Sequence, residues 1–186
     1  MDSASEAALA DAVRHAANNL SMVTLSNLDL LTRAIMPDSP ASRQLERARQ
    51  ACERQLAILV SYTRLSREGV VERLAPEPQL AALVPLLEVA AGGAAPVRLT
   101  AGALPLAALP RPELDLALLE WARLAAAGCP RGTTLNIALE SDGEGLLIRL
   151  SPNPAGAAAA LLAMAQAHGG RGKADGETAE LHLPPG

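Results

Sequence analysis

With 186 residues, the chain has room for one ordinary domain and a smaller unit, but not for three domains. It is 49% hydrophobic with no Phe, one Trp and one Tyr, so its core must be built mainly from Ala, Leu and Val, a mixture that favours closely approaching helices. A net charge of -4 without interleaved aromatics excludes the footprint of nucleic-acid binding, and apolar runs broken by charge, Gly or Pro exclude a membrane span.

Residues 3 to 36 show helical periodicity, with Leu9, Val13, Ala16, Leu20, Val23, Leu30 and Ala34 on one stripe. Ser3 or Ser5 can cap the start, with Glu6 in the first turn. Two prolines in Met36 to Ser42 break the pattern, and a second helix is expected from about Ala41 to Glu68, with Gly69 as its stop. Its stripe includes Leu45, Ala48, Cys52, Leu56, Leu59 and Leu65. Two such helices, each roughly 40 to 50 Å long at about 1.5 Å per residue, make an antiparallel hairpin. A hairpin alone cannot bury apolar stripes on both sides, so a second copy completing a four-helix bundle is expected.

After residue 70 the texture changes. Pro76 and Pro78 mark a linker, and Gln79 to Ala90 reads as a short helix. Pro96 to Ala101 is a strand candidate, and Pro112 to Gly128 a strong helix with Pro near its start and Gly at its end. Thr133 to Glu140 and Gly145 to Ser151 read as strands joined by a tight hairpin, followed by an Ala-rich helix over Ala155 to His168 and a last strand, Ala179 to Pro184. Helices mixed with antiparallel strands predict an α+β sandwich. The expected division is a helical-hairpin unit over 1–70 and a mixed unit over 71–186. Cys52 and Cys129 have neither metal-ligand nor disulfide spacing, and the N-terminal residues lack a signal-peptide stretch, so a cytoplasmic protein is expected.

The stretch Arg14 to Leu31 carries His15, Asn18, Asn19 and Leu20, then Asn27-Leu28-Asp29-Leu30-Leu31. It resembles the dimerisation and phosphotransfer helix of bacterial histidine kinases, in the class whose acceptor helix begins with His, Asp, an aromatic, Asn, Asn and Leu. Ala48 to Arg67 resembles the partner helix of that hairpin. Leu114 to Ile137 follows the layout of the kinase ATP-binding domain in degraded form. The resemblance puts Glu120 and Leu124 where the nucleotide-box asparagines belong, and Pro152-Asn153-Pro154 where the adenine-reading Asp-x-Gly turn belongs. Residues 155–170 replace its glycine-rich lid. The resemblance thus implies a dimeric four-helix bundle followed by a small, degenerate ATPase-like α/β sandwich.

What it implies chemically centres on His15. An imidazole nitrogen is a nucleophile near neutral pH, and a phosphoryl group on it is readily passed on. Asp11, His15 and Asn19 lie four apart on one ridge, so Asp11 can fix the imidazole tautomer while Asn19 holds a phosphoryl oxygen or positions a water, and neighbouring Asn18 is a further candidate because it is a poor mid-helix residue. Ala16 stands where the family has the acid that activates attack on ATP, so loss of autophosphorylation agrees with the eroded nucleotide motifs. The expected activity is ATP-independent phosphotransfer between receiver-domain aspartates and His15. No cofactor is expected, the Mg²⁺ being brought by the receiver. Partners would be response-regulator receivers, a histidine kinase and a second copy of the chain. Leu20, Val23, Leu59 and Tyr62 are expected to flank a docked receiver, because pairing the hairpin about its turn sets Ser61 and Tyr62 level with His15. Two alternatives stand beside this: a pseudo-kinase that regulates a kinase or receiver by binding, and a receiver phosphatase acting through Asn19. Asn27 reads as a register-fixing amide of the bundle. Trp121, His168 and His182 read as structural, and the Arg43 to Arg54 series as a solvated face.

Overall fold

The computed structural model describes residues 3–65, 69–93, 95–141, 143 and 145–185, with the backbone only for 3–11. The chain divides into two compact units between residues 67 and 68. The first is a hairpin of α1 (Ser3–Ala34) and α2 (Pro40–Arg64). The break between them is chemical. Pro37 and Pro40 bracket it, and Asp38 sits at a φ of 61°, the left-handed region that a short Asx side chain tolerates. Ser39 caps α2, its hydroxyl accepting from the Ser42 amide at 3.1 Å, and Pro40 occupies the first helical position where no amide is needed. No helix among the described residues is long and apolar enough to cross a membrane.

The second unit contains β1 (Val70–Leu74), α3 (Pro76–Ala90), β2 (Val97–Ala101), β3 (Ala107–Arg111), α4 (Glu113–Gly128), β4 (Leu135–Ser141), β5 (Leu146–Ser151), α5 (Ala159–Ala167), β6 (Arg171–Ala174) and β7 (Ala179–Leu183). A five-stranded sheet runs β2-β4-β5-β7-β6; β2 and β4 are parallel and the other pairs antiparallel. The alternation expected of a half-covered sheet is plain. Leu135, Ile137, Leu139, Ile148, Leu150, Leu181 and Leu183 are buried, while Glu140 and Arg149 face water. Onto the apolar side pack the three helices, through Leu80, Leu83 and Leu87 of α3, Leu114, Leu118, Trp121 and Ala125 of α4, and Leu161 and Ala165 of α5. Buried alanines on α4 and α5, Ala122, Ala125 and Ala165, let those helices approach closely. On the open side Arg149 bridges Glu140 at 2.8 Å and Glu180 at 3.0 Å, a solvated ladder across three strands.

The strands over 135–151 and 179–183 and the helix over 113–128 follow the sequence reading closely. The linker expected around Pro76 is instead strand β1 followed by α3, with Pro76 at the first turn of that helix. β1 pairs antiparallel with β3, which contains Pro110 opposite Val71 and was not expected as a strand. The Ala-rich helix starts at Ala159 rather than Ala155, after a turn over 155–158. The end expected for the second helix, at Glu68, lies outside the described residues; its last described turn closes with the Leu65 amide donating to the Tyr62 carbonyl at 3.1 Å.

Candidate functional site

The hairpin places His15 by its seam. Along α1 the partly covered side chains are Arg14, Asn18, Ser21, Leu25 and Leu28, with Ala17 beside them and Ile35 just past the helix end; along α2 they include Ser42, Leu45, Arg49, Cys52 and Leu56, and Thr63 is buried. Steps of three, four and seven are those of a heptad seam between antiparallel helices. Ile35 and Ser42 flank the turn, and three heptads back on each helix bring Arg14 level with Thr63. The electrostatics agree with that register. Arg49 has its pKa raised first by its hydrogen bond to Glu46, then by the charges of Glu46 and Glu53, and also by Asp29 across the seam, beside Leu28. Arg49 Nη2 meets Glu46 Oε1 at 2.9 Å and its Nη1 meets Glu53 Oε1 at 2.6 Å.

Seen from one end, the two helices wind in opposite senses with rising residue number. A residue one step past the seam on α1 therefore shares a flank with a residue one step past it on α2. His15, following Arg14, and Asn19, following Asn18, fall on the same flank, and both are exposed. The arrangement is an exposed imidazole, able to act as a nucleophile or a proton carrier, one turn from an exposed carboxamide that can donate or accept. Asn18 separates from this pair: it is half-buried in the seam, facing α2. Asp11 belongs to α1, but its side chain lies outside what is described.

The expected partner-binding residues divide differently from the sequence reading. Leu20 and Tyr62 each stand one step before a seam position, on the flank opposite His15, with Val13, Leu31 and Leu59. Leu20 is 71% exposed and Tyr62 61%, so this flank is an apolar surface that the single chain leaves uncovered. Level with His15 along the hairpin, Tyr62 is nonetheless turned away from it, and Leu20, Leu59 and Tyr62 do not frame the histidine. Val23 points outward between the flanks, and Asn27 is exposed. On His15's own flank, sequence reasoning missed Met22, exposed by 67%, and Arg64, half-buried near the end of α2. Their signal was the weak seam of small and polar residues, which the stronger outer stripe of Leu and Val overshadows.

In the second unit, Glu120 and Leu124 occupy the helix face named above. Arg123 grips Glu120 with two bonds, Nε to Oε2 at 2.9 Å and Nη2 to Oε1 at 2.6 Å. That hydrogen bonding lowers the Glu120 pKa and raises that of Arg123. α4 and α5 pack directly on each other, with Ala122, Ala125, Leu161 and Ala165 wholly buried. At the C-terminal end of α4 a side chain on Gly128 would come within 2.8 Å of the Pro154 ring. Asn153, 2% exposed, donates through Nδ2 to the Asp175 carbonyl at 2.9 Å, and its amide donates to the Glu177 carbonyl, so this loop is committed to holding the β6–β7 turn. Cavities of about 160, 140 and 110 Å³ lie elsewhere, none of the three touching α4. On this face of α4 the Glu120 carboxylate is held by Arg123, and α4 and α5 lie directly against each other. No group of three or more His, Cys, Asp or Glu side chains among the described residues is placed to hold a metal ion.

No family model matches the chain, and no curated protein matches its sequence. Solved structures do match. The histidine kinase AdeS of Acinetobacter baumannii is similar with a TM-score of 0.53 at 11% identity, over 89% of this chain and 95% of that one. The histidine kinase domain from the Erythrobacter litoralis EL346 blue-light activated histidine kinase is similar with a TM-score of 0.50 at 11% identity, over 90% and 94%. The fold is histidine-kinase-like across both units.

Proposed function

We propose that the chain is a histidine phosphotransferase of a two-component phosphorelay, carrying a phosphoryl group on His15 between receiver-domain aspartates without using ATP. The observation that carries this reading is an exposed histidine, one turn from an exposed asparagine, on an open flank of a hairpin in a histidine-kinase-like fold. An imidazole nitrogen of His15 attacks the phosphorus of a receiver's aspartyl phosphate in line. The P–N bond forms as the P–O bond to the carboxylate breaks, and the carboxylate leaves with the electron pair. The ring keeps its proton on the other nitrogen, and the reverse step delivers the phosphoryl group to a second receiver. Asn19 donates to a phosphoryl oxygen. Mg²⁺, in this scheme, belongs to the receiver and neutralises charge there.

The closed α4–α5 pair and the Glu120–Arg123 clasp support a second unit that does not hold nucleotide. Isothermal calorimetry with Mg²⁺-ATP is expected to give no binding heat at millimolar nucleotide, and micromolar affinity would overturn this part of the reading. The apolar flank opposite His15 supports a homodimer that leaves both histidines outward.

The test of the function is label transfer. Wild-type protein and His15→Ala are each mixed with ³²P-phosphorylated receiver domains from the same genome. Acid-labile label on the wild type, absent from His15→Ala and passed on to a second receiver, is the expected result. Receiver phosphate lost without label on the protein would replace phosphotransfer by hydrolysis, and no loss at all would replace it by a binding role.

A further inference from the structure

We propose that Arg64 binds the transferring phosphoryl group as it passes onto His15; this rests on the phosphotransfer reading above. Arg64 follows Thr63 and His15 follows Arg14, and those two seam positions are level, so the guanidinium and the imidazole share one flank. The two residues are offset by about 3 Å along the hairpin, and neighbouring helix axes lie about 8–10 Å apart. An arginine side chain spans that gap. Within a turn of His15 on this flank, the residues whose side chains are described are Ala12, Asn19, Val60 and Arg64, of which Arg64 is the cation; Asp11 shares the ridge through its backbone position.

The chemistry requires such a group. A phosphoryl dianion in transit spreads negative charge over its equatorial oxygens, and the receiver's Mg²⁺ meets it from the donor side only. Asn19 supplies a neutral donor. A guanidinium adds a fixed charge and a fork of N–H donors matched to two phosphoryl oxygens. Arg64 is half-buried, so its charge is partly desolvated and acts more strongly than one in open water. On the far helix, it grips the group from the side that Asn19 leaves open.

The test uses two donors, a phosphorylated receiver and the small molecule phosphoramidate, which phosphorylates histidine without docking. Arg64→Ala is expected to slow labelling of His15 by about 10- to 100-fold from both donors. Arg64→Lys, which keeps the charge and loses the fork, is expected to recover all but about tenfold. Far-ultraviolet circular dichroism of both variants checks that the hairpin is intact. Slowing from the receiver alone, with phosphoramidate labelling at the wild-type rate, would make Arg64 a docking residue and overturn the proposal. Equal loss in Arg64→Ala and Arg64→Lys would overturn it as a structural effect. If receivers fail to label the wild type while phosphoramidate succeeds, the relay reading fails, and the phosphoramidate rates still decide the role of Arg64.

Discussion

A chain carrying both Leu20→Glu and Leu31→Glu is expected to sediment as a monomer at concentrations where the wild type sediments as a dimer. Both leucines project from the hairpin flank opposite His15, at 71% and 50% exposure. Val13, Leu59 and Tyr62 extend the same surface. A second copy related by a two-fold axis would bury two such leucines from each chain, four in all. At about 1.5 kcal/mol or more each, their loss weakens the dimer by on the order of 6 kcal/mol, or about four powers of ten in dissociation constant. Glutamates facing each other across the axis add repulsion. The control is Met22→Glu, on the His15 flank, which should leave the dimer intact. Analytical ultracentrifugation across a hundredfold concentration range separates the outcomes. A wild type that stays monomeric would remove the bundle from the proposal, and a monomeric Met22→Glu would put the dimer on the wrong flank.

The residues explain which parts of this architecture could be read beforehand. α1, α2 and α4 carry long periodic apolar patterns with Pro or Gly at their ends, β4 and β7 alternate cleanly because one side of the sheet is buried, and β5 is a short apolar run bounded by Gly and Pro. β1 escaped because Val70 and Val71 are followed by the charged pair Glu72-Arg73 and then by Pro76 and Pro78, which read as a linker until β3 is seen to pair with it. β3 in turn hides behind Pro110. β6 has no large apolar residue: its sequence, Arg-Gly-Lys-Ala, is wholly exposed on a charged sheet edge, so burial leaves no imprint on it. At the candidate site, His15 and Asn19 were legible from their string and their spacing of four. Their flank was not. It depends on the seam of Arg14, Asn18, Ser21 and Thr63, residues whose polarity hides the fact that they face another helix. Leu20, Leu59 and Tyr62 share a level with His15 along the hairpin without sharing its flank, a distinction that spacing within either helix alone does not carry.

Asp115→Ala is expected to cost the second unit about 3–5 kcal/mol. Asp115 is 1% exposed and accepts from Arg111 Nε at 2.9 Å and again from Nη2, while Arg111 Nη1 donates to Gln79 Oε1 at 2.9 Å. The cluster ties the end of β3 to the first turn of α4 and to α3, and an acid there also suits the positive end of the helix. Removing the carboxylate strands a guanidinium whose side chain is only 11% exposed. The double change Arg111→Met with Asp115→Leu removes both charges and fills similar volume, so it should recover most of the loss; a buried pair is costly to break but replaceable as a whole. Trp121 is the chain's one tryptophan and is fully buried in this unit, so its fluorescence in urea reports this unit and not the hairpin. The expected fall in melting temperature for Asp115→Ala is on the order of 10–20 °C. A loss below about 1 kcal/mol would mean that water or a neighbour replaces the carboxylate. A double variant no better than Asp115→Ala would mean that the pair specifies the packing of β3, α3 and α4 through its geometry rather than through charge compensation.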